Sequence, residues 1–464
     1  MSDYLPDSVL HEIFCRLPVE SILRFRCVSN QWCSLISSQD FISTHLSHSL
    51  SITSNATPLI LLRHFSLESR NQEHYSVYFD PSKTENLTLV KELKFPFKTR
   101  SGHHFRVVGF CNGLFCLSDD IVEETYTIIL WNPAIRRSIT LPNPHVQFGS
   151  YSPHICLGFG FDQKTHDHKV VRIAYLHDNH GANTVLPPKV EVYSLSTGLW
   201  KTVNSKDIHC KIIERFYTSA YLSGAIHWIS YTENEGGEFT NSLLVFDLSE
   251  EKFSEIGLPR ELIHVSPTDL SVSLCGGQIS MIWFETCWDC DESWDRCAVW
   301  VMNQYGELES WTKKFVLVLE GGISQAIGFR GNGESLVMEY NGDLLSYNPE
   351  SMEWKDLDIY GERYSFFLSK YIESLVLLDG SSGATTDPSD AEVEAIGVDF
   401  SRYFGGYVKA MWKCPEHGTN AEFTDMFGVT WINGLLLKSL QKLNDLLHPA
   451  LLMCIFFVSA GDLA

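Results

Sequence analysis

Residues 192–200 read VYSLSTGLW, an aromatic strand followed by a polar turn and a second strand. Tyr193 and Trp200 are seven residues apart, so a hairpin that turns between them places the two rings opposite each other. Paired aromatic side chains stabilise neighbouring antiparallel strands. The stretch therefore predicts a β-hairpin.

The same pattern recurs along the chain, at intervals of 47 to 62 residues between the key aromatics. Aromatic pairs spaced by seven also occur at Phe246 and Phe253 and at Tyr347 and Trp354. The five other segments with this pattern read VYFDP from 77, LWNP from 130, VFDL from 245, VWVMN from 299 and SYNP from 346. Such self-similarity predicts one architectural unit that is repeated along the chain.

A second hairpin precedes most of these segments, with its turn at residues 112–113, 223–224, 276–277 or 331–333. Each period then holds about four strands, which is typical of a β-propeller blade. We predict a mainly β fold with about six blades; seven blades, or a β-sandwich of unrelated hairpins, are the alternatives. Ring closure requires strands from both ends of the repeat to share a blade, and residues 59–65 and 374–378 are the candidates.

The first fifty residues instead predict a small all-α module of four short helices. Asp7 and Ser8 follow Pro6 at a helix start, Ser29 can cap the third helix, and Asp40 can cap a short fourth. Apolar residues cover more than one face of these helices, and so small a module buries too little surface to be stable alone. It is either a partner-binding module or a cap packed on the rest of the chain.

Charge and composition exclude several classes of function. The chain has 35 Lys and Arg against 57 Asp and Glu, a net charge of −22, which disfavours nucleic acid as a partner. Residues 232–310 alone hold 16 acids and 3 bases, so a basic partner is favoured. The apolar run at 450–460 is too short to span a bilayer, so no membrane association is expected.

The 13 cysteines are an odd number without framework spacing, which indicates reduced thiols. With an acidic N-terminus unlike a secretory signal, they lead us to expect the cytoplasm, the nucleus or both. Cys287, Cys290 and Cys297 supply too few ligands for a closed zinc site, and Cys414 with His417 is weaker still. The histidines at 166, 168, 177 and 180 are interpreted as loop residues. No metal, cofactor or catalytic residue is predicted.

Residues 5–46 resemble the F-box of plant F-box proteins, through both Leu-Pro pairs, the RCVS segment at 26–29 and Trp32. In that family the F-box binds the Skp-type adaptor of SCF (Skp–cullin–F-box) ubiquitin ligases, which also contain cullin and RING subunits. The resemblance implies that the adaptor contacts are Leu5, Pro6, Leu10, Ile13, Leu17, Pro18, Leu23, Val28 and Trp32.

Residues up to 379 also resemble the kelch-like F-box-associated domain of this family, whose members include the pollen S-locus F-box group. The matching segments are VGFCNGL from 108, WNP from 131, GFGFD from 158, GAIHW from 224 and ESWTK from 309. Regular Gly-Gly pairs are absent, so the repeat is not a standard kelch array. In the family this domain binds the substrate of the ligase.

The resemblance implies a noncatalytic substrate-recognition subunit that directs a protein substrate to ubiquitination and proteasomal degradation. A propeller enzyme of the glycosidase or oxidase type, or a nondegradative scaffold, are the alternatives. Binding on a propeller normally uses the loops of one rim, and the long loops here are 178–188, 231–241 and 286–296. Substrate contacts are predicted at Glu233, Glu235, Glu238, Trp288, Asp289, Asp291, Glu292, Trp294 and Asp295.

We therefore divide the chain into an F-box module at 1–48, a propeller at 55–379 and a linker with an atypical tail at 380–464. The tail starts with the Gly/Ser-rich stretch 380–390, which is typical of a linker. An additional helix on the propeller, a second partner site and a gene-model extension are the interpretations left open, and poor order is expected. The sequence does not specify the substrate or the oligomeric state.

Overall fold

The computed structural model describes residues 7–53, 59–66, 72–81, 86–97, 104–119, 127–146, 154–175, 187–213, 219–234, 236–285, 295–319, 322–362, 365–378, 423–424 and 430–431. Two compact units divide the chain, Met1–Val393 and Glu394–Ala464. The described part of the second unit is one antiparallel strand pair, Phe423–Thr424 with Thr430–Trp431. The predicted tail therefore lies almost wholly outside the described residues.

Four helices form the N-terminal module, as predicted: α1 (Asp7–Cys15), α2 (Val19–Phe25), α3 (Asn30–Ile36) and α4 (Gln39–Thr53). Ser29 caps α3, and its hydroxyl accepts a hydrogen bond from the Trp32 backbone N–H at 3.2 Å. The predicted Asp40 cap is wrong. Ser38 accepts from the backbone N–H of Phe41 at 3.3 Å, so α4 starts earlier, and it is the longest of these helices rather than a short one.

Six antiparallel sheets follow, which confirms a six-bladed propeller and rules out the sandwich. Blade 1 contains β1 (Leu59–Ser66), β2 (Gln72–Phe79), β3 (Thr88–Leu93) and the late strand β25 (Phe367–Lys370). Blade 2 contains β4 (Arg106–Cys111), β5 (Leu114–Ser118), β6 (Ile128–Asn132) and β7 (Arg137–Thr140). Blade 3 contains β8 (His154–Asp162), β9 (Asp167–Tyr175), β10 (Lys189–Ser194) and β11 (Leu199–Val203).

The second half of the ring has the same plan, with one additional short strand. Blade 4 contains β12 (Lys211–Ile212), β13 (Ala220–Leu222), β14 (Ala225–Glu233), β15 (Phe239–Asp247) and β16 (Lys252–Gly257). A short helix, α5 (Arg260–Ile263), precedes blade 5, which contains β17 (Leu270–Cys275), β18 (Gln278–Glu285), β19 (Asp295–Met302) and β20 (Trp311–Leu319). Blade 6 contains β21 (Ile323–Phe329), β22 (Ser335–Glu339), β23 (Asp343–Asn348) and β24 (Glu353–Tyr360).

The predicted hairpins and their aromatic pairs are confirmed. Tyr193 lies opposite Trp200 in the β10–β11 register, with ring centroids 5.4 Å apart. The equivalent pairs in blades 4 and 6 each have ring centroids at 4.6 Å. At the β4–β5 turn, Asn112 and Gly113 both have positive φ, 52° and 82°, as the tightest hairpin turns require.

Blade 1 closes the ring, because β25 pairs with β1 and forms the innermost strand of a blade whose other strands come early in the sequence. The N-terminal closing strand was predicted correctly. Its partner was not, since residues 367–370 rather than 374–378 complete the blade. The predicted segment 374–378 comes after β25 and adds no strand to the ring.

Strand direction alternates within a blade, so its turns fall on two opposite faces of the propeller. Turns from first to second strands and turns from third to fourth strands lie on one face, where β1 begins and β25 ends. We call it the helix face, because the chain passes there from α4 to β1. Turns from second to third strands, and the links between blades, lie on the other face, which we call the open face. The predicted binding loops 178–188, 231–241 and 286–296 all join second to third strands, in the consecutive blades 3, 4 and 5.

Candidate protein-binding surfaces

Three aromatic rings form the centre of the helical module. The ring of Phe14 lies 5.5 Å from that of Phe25 and 5.0 Å from that of Trp32, with the last two rings 5.7 Å apart. One stacked and two edge-to-face contacts add to the apolar burial and fix α1, α2 and α3 against one another. Trp32, a predicted adaptor contact, therefore has a structural role inside the module as well.

Large apolar side chains remain exposed on the outer surface of these helices. Val28 is 62 % exposed, Ile13 44 % and Val9 40 %. Val9 and Ile13 lie one turn apart on the same face of α1, and Pro18 is exposed at the start of α2. Several large apolar side chains exposed on one small module indicate a protein contact. Val9 was not among the predicted adaptor residues, although its spacing from Ile13 indicated it.

The other predicted adaptor residues differ in accessibility. Leu17 and Leu23 are half-buried, whereas Leu10 is only 7 % exposed and packs in the core of the module. Leu5 and Pro6 lie outside the described residues. The adaptor role of all nine residues remains a prediction. Of the nine, Ile13, Pro18 and Val28 are exposed to solvent.

The inner side of the helical module packs on the propeller. One continuous apolar cluster contains Phe14, Ile22 and Phe41 of the helices, strand residues of blades 2 and 3, and residues 375–378. His45 of α4 is 2 % exposed, and its Nε2 lies 3.1 Å from the carbonyl oxygen of Leu17. Burial lowers the pKa of His45. The module therefore has one face on the propeller and one toward solvent.

The open face carries acidic groups on blades 4 and 5. Glu233 and Glu238 are exposed on either side of the β14–β15 turn, where Asn234 Oδ1 accepts backbone N–H groups of Gly236 and Glu238, both at 2.9 Å. Glu285 at the end of β18 has Arg296 across the strand pair, 3.9 Å from its carboxylate. The predicted contacts Glu235, Trp288, Asp289, Asp291, Glu292 and Trp294 lie outside the described residues, as does the side chain of Asp295.

The histidines predicted to be loop residues differ in position. His166 does lie in the β8–β9 turn, but His168 is on β9, 4 % exposed, with its ring 4.9 Å from that of Phe161. The loop assignment is therefore wrong for His168, because strand burial at a single histidine leaves no signal in the sequence. Burial lowers its pKa to about 4. His177 and His180 lie outside the described residues.

Within the described ranges no group of three or more His, Cys, Asp or Glu side chains is placed to hold a metal ion. Nine cysteines in this part of the chain are free. Of the helices that the structure describes, none is long and apolar enough to cross a membrane.

Comparison with known proteins identifies both parts of the chain. Residues 65–376 match the family model described as F-box associated beta propeller domain. The chain belongs to this family. Residues 3–44 match the F-box domain, so the helical module is an F-box and the six blades form an F-box-associated propeller.

The F-box-associated propeller has similar relatives in Arabidopsis thaliana. The F-box/kelch-repeat protein At3g23880 is 26 % identical, over 74 % of this chain and 87 % of the relative. F-box protein At3g07870 is 25 % identical, over 77 % of this chain and 88 % of the relative. F-box protein CPR1 is 26 % identical, over 80 % and 89 % respectively. These comparisons show a plant F-box protein that carries an F-box-associated domain.

Proposed function

We propose that this protein is a noncatalytic substrate-recognition subunit of an SCF ubiquitin ligase. The F-box binds a Skp-type adaptor, and the propeller binds a protein substrate, which is then ubiquitinated and degraded. The observation that supports this most is the exposure of the apolar residues Val9, Ile13, Pro18 and Val28 on a module whose buried residues pack on the propeller. The protein acts in the cytoplasm, the nucleus or both.

In this proposal the protein carries out no chemical step and acts only by positioning the substrate. Cullin-RING ligases transfer ubiquitin from a conjugating enzyme directly to a substrate lysine, so the recognition subunit contributes proximity and orientation. The strand ends that the predicted substrate loops join lie on the open face, whereas the F-box packs against the helix face. Adaptor and substrate can therefore bind at the same time without competing for one surface.

The substrate class follows from charge. The acidic composition of residues 231–241 and 286–296, with Glu233 and Glu238 exposed at the β14–β15 turn, favours a basic protein as substrate. Neutralising Glu233, Glu238 and the four acids at 289–295 should weaken substrate capture and reduce its salt dependence. Unchanged capture by that variant would exclude these loops as the contact.

Coexpression with a Skp-type adaptor tests the F-box surface. Val28→Asp and Ile13→Asp each place a charge in the exposed apolar surface, and we expect copurified adaptor to fall by about tenfold or more. Leu199→Asp is the matched control, because Leu199 is 64 % exposed on β11 of blade 3, outside the F-box. It should leave adaptor binding unchanged.

Both side chains are exposed in the folded chain, so loss of binding can be separated from unfolding by circular dichroism of each variant. Adaptor binding by the wild type that both charged variants retain would contradict the proposed surface. A folded wild type that binds no Skp-type adaptor would contradict the ligase function itself.

A further inference from the structure

Residues 371–378 follow the closing strand and run along the helix face; we call them the seam segment. Ser374 and Leu375 are fully buried, and Leu378 is 3 % exposed. Leu377 has a φ of 75°, a conformation that costs a leucine about 1–2 kcal/mol. A buried polar residue and a strained backbone persist only where surrounding contacts determine the conformation. The seam segment is therefore held in one position.

Asn132 holds the seam segment on the propeller side. Its Nδ2 group, fully buried, donates to the Ser374 carbonyl oxygen at 3.0 Å, the Ser374 hydroxyl at 3.2 Å and the Val376 carbonyl oxygen at 2.9 Å. Gly113 lies beside it, where a Cβ atom would be 2.6 Å from the Ser374 hydroxyl. Blade 2 therefore supplies a hydrogen-bond donor, Asn132, and leaves space at Gly113 for the seam segment.

The helical module contacts the same segment from the other side. Residues 375–378 belong to the apolar cluster that includes Phe14, Ile22 and Phe41 of the F-box helices. Glu373 forms an ion pair with Lys91 of blade 1 and interacts electrostatically with His45 of α4. The seam segment therefore links the F-box to blades 1 and 2.

We propose that Asn132 is a positioning residue, which fixes the F-box on the propeller through the seam segment and so sets the distance from the adaptor to the bound substrate. This inference rests on the proposed ligase function. A subunit that works by proximity loses efficiency if its two binding modules move independently. Weakening the seam should therefore slow ubiquitin transfer without weakening either binding event.

The repeat supplies a matched control for Asn132. Asn348 occupies the equivalent place in blade 6, and its Oδ1 accepts the Glu350 backbone N–H at 2.9 Å, as Asn132 Oδ1 accepts that of Ala134 at 3.0 Å. Asn132 has in addition the three bonds to the seam segment. In Asn132→Asp the turn bond remains, but a carboxylate oxygen replaces the donor and faces two carbonyl oxygens. Asn348→Asp makes the same change at an exposed turn.

Hydrogen exchange on the full chain without the adaptor tests the structural part. We expect amides of the seam segment and α4 to exchange about tenfold faster or more in Asn132→Asp, with blades 4 and 5 unchanged. Asn348→Asp should match the wild type. Leu375→Ala, a change within the seam segment, is the second variant in case Asn132→Asp does not fold. The proposal would be overturned if the seam amides of Asn132→Asp exchanged at the wild-type rate, or if amide exchange accelerated equally in every blade.

A surrogate substrate tests the functional part. An epitope inserted between Glu285 and Asp295 is bound by a lysine-bearing nanobody, and transfer of ubiquitin to that nanobody is measured with the reconstituted ligase. We expect Asn132→Asp to slow transfer severalfold while copurified adaptor and bound nanobody stay constant. Transfer at the wild-type rate would refute the positioning role. A wild type that binds no adaptor would instead refute the ligase function. Hydrogen exchange would still show whether Asn132 holds the seam segment in place.

Discussion

Gly158 and Gly160 lie on the innermost strand of blade 3, where side chains of blade 4 approach the backbone. A Cβ atom on Gly158 would be 2.4 Å from Trp228 Cζ2, and one on Gly160 would be 2.4 Å from Tyr221 Cδ2. Trp228 is held there by a hydrogen bond from its Nε1 to the Leu157 carbonyl oxygen at 3.1 Å. The glycines in the GFGFD segment therefore serve the packing of neighbouring blades.

We expect Gly158→Ala to lower the free energy of unfolding by about 1–3 kcal/mol, because the added methyl group overpacks this contact. Urea unfolding measures the change. Gly109→Ala is the control on the innermost strand of blade 2, since the nearest atom to a Cβ there is at 3.5 Å. Equal losses in the two variants would contradict the packing role.

His168 makes the stability of the propeller dependent on pH. Burial lowers its pKa to about 4, whereas the unfolded chain has a histidine pKa of about 6.5. Above pH 6.5 the imidazole is neutral in both states; as pH falls toward 4, the unfolded chain takes up the proton that the native state excludes. The free energy of unfolding should drop by about 3 kcal/mol at pH 4 from this residue.

Urea midpoints between pH 7.5 and 4 test this expectation, with His168→Gln giving a flatter profile than the wild type. Burial lowers the pKa of His64 and His227 to about 4 as well, so some pH dependence should remain in the variant. A profile as steep as that of the wild type would show that His168 does not contribute.

At the scale of elements, buried charges connect neighbouring blades. Lys169 on β9 donates from Nζ to the Leu248 carbonyl oxygen at 2.7 Å and forms ion pairs with Asp162 at 2.9 Å and Glu251 at 3.2 Å. Leu248 and Glu251 belong to the β15–β16 turn of blade 4. Hydrogen bonds from Ser249, Lys169 and Thr165, opposed by burial, hold the pKa of Asp162 well below its usual range.

Lys169→Met should destabilise the propeller by about 3–5 kcal/mol, because it leaves the buried Asp162 carboxylate without its counter-charge. Asp162→Asn in the same chain should restore part of the loss, since no unpaired charge remains. Thermal unfolding of the single and double variants decides between these outcomes. A double variant less stable than Lys169→Met alone would refute the pairing.

Several elements could be predicted from the sequence because local chemistry determines them. Tyr193 and Trp200 have the spacing of a hairpin, and the Asn112-Gly113 turn requires positive φ. The C-terminal closing strand could not be predicted. Residues 374–378 are more apolar than residues 367–370, so they resemble a buried strand more closely. Apolar composition indicates burial, but it does not distinguish burial in a sheet from burial beneath helices. The α4 cap was missed because Ser38 and Asp40 are both good capping residues.

At the scale of the whole molecule, strand order rather than composition puts the strand ends that the predicted substrate loops join on one face. The sequence predicted the loops at 231–241 and 286–296, but their position on consecutive blades opposite the F-box depends on the direction of every strand. The contact between the F-box and the seam segment joins residues more than three hundred positions apart. Such long-range packing has no local pattern in the sequence.

Ring closure gives a prediction at this scale. A chain that ends at Val393, the boundary of the first compact unit, should unfold at the same temperature as the full chain. A chain that ends at Phe366 lacks β25 and the seam segment and leaves the inner edge of β1 unpaired. We expect this shorter chain to lose its cooperative thermal transition. Circular dichroism melting of both truncated chains provides the measurement.

The pairing of β1 with β25 also affects how the chain folds during synthesis. About 300 residues separate Ser66 from Phe367, so at roughly 5–20 residues per second the ribosome needs about 15 to 60 s to supply the partner strand. Throughout that delay the edge of β1 is open to other nascent chains. Arg63 of β1, paired with Glu73 of β2 at 2.7 Å, puts charged groups beside that edge, which discourages such pairing. After closure its guanidinium donates to the Ser365 carbonyl oxygen at 2.5 Å. The side chain that discourages wrong pairing of β1 therefore also stabilises the segment that leads into the closing strand β25.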